Sequence, residues 1–109
     1  MKGKNVLVHF PFTDLSATKL RPALVIHENT EDVIVAFISS RVPAHPSIQG
    51  LVIMDDDPAF GATGLKAPSV IRFDKIATLS RDLVEGEIGT ITPPIAEKCN
   101  AVMHQFFHF

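Results

Sequence analysis

Residues 21–39, RPALVIHENTEDVIVAFIS, decide the fold. Two apolar, β-branched runs, Ala23 to His27 and Val33 to Ser39, flank the polar segment ENTED, which is the pattern of two strands joined by a short turn. Setting His27 against Val33 fixes the register of that hairpin. Arg21 then falls opposite Ser39, with their Cβ atoms about 4.5–5.5 Å apart on one side of the sheet. A one-residue bulge would put Ser40 there instead.

Further strand-like runs lie on both sides of the hairpin, at Asn5 to Phe10, Gly50 to Met54, Ser69 to Phe73 and Ile76 to Leu79, with Ile88 to Ile91 as a seventh candidate. Turn-rich segments (VPAHPS, DDDPAFGATG, VEGEIG) separate them, and a helical turn is expected at Pro58 to Phe60. The period changes at the C-terminus. In TPPIAEKCNAVMHQFFHF, Thr92 fits an N-cap and Pro93 the first helical position, and apolar residues recur at Ile95, Cys99, Val102, Met103 and Phe106. The expected architecture is mainly β with a C-terminal helix (α+β): a small barrel of six or seven short strands capped by that helix.

A chain of 109 residues holds one domain, residues 1–109, because halves of it would bury too little surface. A hydrophobic fraction of 46% is high for so small a domain, so some apolar surface should be buried against a partner. No apolar run approaches the roughly 20 residues that span a bilayer, and MKGK is not followed by an apolar signal core. A soluble, cytoplasmic protein without membrane association is expected. The single cysteine, Cys99, fits a reducing compartment, and no Cys/His cluster has zinc spacing. His104 and His108 stand four apart on the helix with no third ligand in view.

The formal charge of −2 argues against a general nucleic-acid coat protein, whose binding rests on many phosphate contacts. It leaves room for a local cationic site. Lys2, Lys4, Lys19, Arg21 and Arg41 all lie in the first half of the chain, away from the acidic run Asp55 to Asp57.

The pair Arg21 and Ser39 suits a phosphodiester. A guanidinium offers a planar fork of donors matching two phosphate oxygens, and a hydroxyl can donate to a third. Together they could stabilise the five-coordinate phosphorus formed when a ribose 2′-OH attacks its own 3′-phosphate, a reaction that requires no metal or other cofactor. The same residues also read as a solvated strand-edge arginine and a turn serine. His9 could act as a base near neutrality or be a half-exposed strand histidine, and Lys19 could add charge to a groove or be a solvated loop lysine.

Beside this reading stands a resemblance. GKNVLVHFPF (3–12), the polar loop, RPALVI, VIVAFISS, Gly64-Leu65 followed by Ser69-Val70-Ile71-Arg72, and DKIATLSRDLVEGEIGTIT with the terminal helix together resemble the MazF/PemK family of type II toxin-antitoxin toxins. The resemblance implies an SH3-like barrel of the MazF/CcdB type. It implies a homodimeric, metal-independent endoribonuclease that cuts single-stranded RNA to a 2′,3′-cyclic phosphate and inhibits growth. It also implies neutralisation by a cognate acidic antitoxin. Arg21 and Ser39 fall on its catalytic arginine and threonine positions, and Lys19, Ser40, His9 and Thr18 become candidate substrate-binding positions. The chain departs from the family in having serine at position 39, histidine at position 9, and no Trp or Tyr to stack a base. Two alternatives share the fold. One is a CcdB-like toxin that acts by protein contact, which implies a C-terminal tryptophan; the other is a degenerate member that only binds antitoxin or represses its own operon as a DNA-binding protein.

Overall fold

Strand β1 (Lys4–Phe10) is followed by β2 (Lys19–Glu28), β3 (Asp32–Ser39), β4 (Gly50–Ile53), the short helix α1 (Phe60–Thr63), β5 (Ser69–Ser80), β6 (Val84–Thr90) and helix α2 (Pro93–Phe106). The structure, a computed structural model, describes residues 1–10, 19–44 and 50–109, and the side chain of Phe10 is not described. The strands form one antiparallel sheet in the order β4-β5-β3-β2-β1-β6. The expected barrel-like β architecture with a closing helix is therefore present, as an open sheet whose edges are β4 and β6.

The runs at β2 and β3 look continuously apolar because both faces of the central strands are covered. Leu24, Ala36 and Ile38 pack on one side with Ile53, Ile71, Phe73, Ile95 and Cys99. Ala23, Val25, Val33 and Val35 pack on the other with Val6, Val8 and Leu79. Alternation sends successive residues to opposite faces, so a strand buried on both faces shows no polar stripe.

Two sequence expectations are corrected here. Ser69 to Phe73 and Ile76 to Leu79 are one strand, with a register shift against β3 between the rungs Phe37↔Arg72 and Ala36↔Ile76. The polar pair Asp74-Lys75 occupies the irregularity, where it makes one strand read as two. At the hairpin tip the rungs are Glu28↔Val33 and His27↔Ile34, one residue away from His27↔Val33. A bulge between Val25 and His27 then restores the expected alignment from Val25↔Val35 onward.

Helix α2 begins where Thr92 and Pro93 place it, and Ile95 and Cys99 form its buried face. Thr92 occupies the N-cap without a side-chain capping bond, and its buried Oγ1 has no protein partner. No helix among the described residues is long and apolar enough to cross a membrane.

Candidate functional site

The central hairpin opens at one end. Strand β2 pairs with β1 as far as Phe10↔Lys19, and β3 pairs with β5 as far as Ser39↔Val70, yet the last rung between β2 and β3 is Ala23↔Phe37. Past that rung each strand keeps only its outer neighbour. Pro22 sits at this point and has no backbone N–H to offer a ladder, so the sequence itself supports the parting. A cleft of about 680 Å³ lies there, within the range of small-ligand sites.

Arg21 and Pro22 of β2 form one part of its lining, and Phe37, Ile38 and Ser39 of β3 form another. Arg21 and Ser39 each lie two residues beyond the last rung, Ala23↔Phe37, and both line the cleft. The chain leaving β3 adds Ser40 and Arg41. The Arg41 N–H donates to Ser39 Oγ at 3.1 Å, which holds the hydroxyl as an acceptor and leaves its own proton to be donated elsewhere.

A second wall, Gly64 to Ala67, reaches the cleft from the segment between α1 and β5. Two glycines let it approach so closely. Gly64 adopts a left-handed φ of 73°, and a Cβ there would lie 1.9 Å from the Ile88 carbonyl oxygen. A Cβ on Gly89 would lie 2.3 Å from the Thr63 carbonyl carbon. Fully buried Asn5 adds a hydrogen bond from Nδ2 to the Thr63 carbonyl at 3.1 Å, and Ser69 Oγ donates to Ala67 O at 2.8 Å. Lys66 is thus carried on backbone fixed at both ends.

The charge at this cleft is one-sided. Arg21, Arg41 and Lys66 line it, and the described lining contains no carboxylate. Among the described residues no carboxylate pairs with any of the three, whereas Arg72 is bound to Asp74 and Arg81 to Glu28. On a chain of net charge −2, this is a local concentration of positive charge.

Of the residues singled out from sequence, the structure brings Arg21, Ser39 and Ser40 together in the cleft. His9 and Lys19 are not in its described lining. His9 is one rung further out than Arg21, opposite Leu20, and its Nε2 lies 2.7 Å from Glu85 Oε2. Lys19 lies two residues from Arg21, opposite Phe10. Thr18 falls outside the described residues. Sequence reasoning counted Arg41 only as one of a basic group and passed over Lys66; the signal for Lys66 was its place directly after Gly64-Leu65.

Residues 2–107 match the family described as the PemK-like, MazF-like toxin of type II toxin-antitoxin system, and the chain belongs to that family. Among solved structures it is similar to Mycobacterium tuberculosis toxin MazF-mt6, with a TM-score of 0.74 and 17% identity over 95% of each chain. It is also similar to an endoribonuclease in complex with its cognate antitoxin from a mycobacterial species, with a TM-score of 0.66 and 18% identity over 96% of this chain and 89% of that one. At these identities the likeness speaks for the fold. No curated protein matches the sequence.

Proposed function

We propose that this toxin-family chain is an endoribonuclease that cuts single-stranded RNA at the cleft between β2 and β3. The observation that carries the reading is the cleft itself, with Arg21, Arg41, Lys66 and two serines beside one another and no carboxylate in the described lining. In the proposed reaction the ribose 2′-oxygen forms a bond to the adjacent phosphorus and the bond to the 5′-oxygen breaks, leaving a 2′,3′-cyclic phosphate. Arg21 donates hydrogen bonds to the non-bridging oxygens as negative charge builds up, and the Ser39 hydroxyl donates a hydrogen bond to the same phosphate. The described lining offers no imidazole or carboxylate. In this reading the 2′-proton passes to water, the leaving 5′-oxygen takes one from water, and the described residues contribute electrostatically.

The same cationic mouth suits an acidic antitoxin peptide, which would compete with RNA in a salt-sensitive way. Two copies of the chain would pair through apolar surface of the kind seen at Val52 and Met54 beside edge strand β4 and at Phe107 beyond α2. The test is incubation of the purified protein with a long RNA, with and without EDTA, followed by mapping of the ends. Cuts bearing cyclic phosphate and insensitive to EDTA are expected. Intact RNA would reject the reading and leave a protein-binding toxin.

A further inference from the structure

We propose that Arg41 and Lys66 each hold a backbone phosphate of the bound single strand other than the one held by Arg21, so that the cleft engages three phosphates. The inference rests on the nuclease reading above and adds the path of the substrate to it.

Of the four arginines in the chain, Arg72 and Arg81 are neutralised by Asp74 and Glu28, while Arg21 and Arg41 face the cleft with no carboxylate among the described residues to pair with. Lys66 is exposed and likewise has no carboxylate partner among them. Among the described residues nothing offsets the mutual repulsion of these three charges, and an anion in the cleft would do so. A single phosphate clamped by Arg21 and Ser39 would leave two of them uncompensated.

Topology supplies the direction. Ser39 pairs with Val70 at the end of the β3–β5 ladder, so the chain leaving β3 toward Arg41 and the chain entering β5 from Lys66 emerge at the same end of the sheet. Arg21 stands on β2, on the other side of the parted seam. A strand laid from Arg21 over Ser39 reaches Arg41 and Lys66 next. Both sit on held backbone: Arg41 through its N–H bond to Ser39 Oγ, Lys66 through the Gly64 and Ser69 anchors on either side. With the backbone held, only side-chain rotamers remain to be ordered when a phosphate binds, which lowers the entropic cost of each contact.

Neither side chain reads a base in this assignment, so the contribution is independent of sequence. The test is the salt dependence of binding to a mixed-sequence single-stranded DNA oligonucleotide, which lacks the 2′-OH and cannot be cut by this route. For single strands the slope of log K against log salt changes by about 0.7 for each phosphate contact. Arg41→Ala and Lys66→Ala should each flatten the slope by about 0.7, and the double variant by about 1.4. Lys66→Arg should keep the wild-type slope, and thermal unfolding should be unchanged in all of them. A wild-type slope in either alanine variant overturns the proposal. RNA cleavage by the wild type is scored separately, so loss of the three-phosphate path and loss of the nuclease reading give different results.

Discussion

The Oγ of Ser39 accepts the backbone N–H of Arg41 at 3.1 Å, so one hydrogen bond orients the hydroxyl proposed to touch the scissile phosphate and ties down the arginine proposed to hold a neighbouring one. Ser39→Ala removes both effects and should lower the cleavage rate, though less than loss of Arg21. Ser39→Thr keeps the oxygen and adds a methyl that restricts its rotamers, so its rate should equal or exceed wild type. Single-turnover cleavage of one RNA by the three proteins checks the order.

Arg21→Ala should cost about a hundredfold or more in cleavage rate, the size seen when a charge-stabilising donor is lost from an active site. Arg21→Lys should recover little, because an ammonium cannot reproduce the planar fork. Arg21 is exposed, so stability should shift by no more than about 0.5 kcal/mol. Full activity in a folded Arg21→Ala protein would remove the clamp from the mechanism.

Gly64→Ala should destabilise the fold by at least about 1–2 kcal/mol from the left-handed backbone alone, before its Cβ meets the Ile88 carbonyl. Gly61→Ala is the control, since nothing lies within 4 Å of its Cβ position and its residue is helical. That variant should be neutral or slightly more stable. Urea unfolding of both proteins measures the difference.

Acid should weaken the fold partly through Asp74. Its carboxyl is held below the usual range, first by the side-chain hydrogen bonds from Arg72. A carboxyl with a depressed folded-state pKa contributes stability above its unfolded pKa of about 3.9, and that contribution is lost as pH falls through the folded value. Glu28 acts in the same sense, lowered by its bond to the amino terminus and then by Arg81. Asp74→Asn should therefore narrow the gap in urea midpoint between pH 6 and pH 3, and an unchanged gap would assign the acid sensitivity elsewhere.

Cys99 should be inert to thiol reagents in the folded protein. Burial pushes its thiol up to about 11, and the thiolate is the reactive form. Labelling with iodoacetamide at neutral pH should be slow until denaturant is added. Fast labelling of the native chain would mean that α2 opens from the sheet.

The hairpin and the helix were legible because each depends on neighbours in sequence or on one register, and the same register brings Arg21 and Ser39 to one cleft. That register agrees with expectation from Val25↔Val35 to Ala23↔Phe37, where the ladder ends, by compensation: the tip pairs one residue away, and the bulge at Ile26 cancels the offset. Hydrophobic patterning cannot locate such a bulge, since both faces of β2 and β3 are apolar. Lys66 follows the legible Gly64-Leu65 pair, yet its place at the cleft was hidden for a different reason. Its position depends on Gly64 and Gly89 meeting across the chain, and neither glycine announces its partner. His9 was plausible from its pKa class alone, but strand register sets it one rung outward and beside Glu85.

The parted seam also ties the site to the order in which the chain matures. Leu7 and Ile88 both line the cleft, and they come to it together only when β6 pairs with β1 across most of the sequence length. Such distant pairing carries a large loop-closure cost and belongs to the slow part of folding. A growing or truncated chain that ends before Ile88 can form the β2–β3 hairpin and expose Arg21, yet it lacks one wall of the cleft. The hairpin is an early local structure, whereas the complete site belongs to the finished fold.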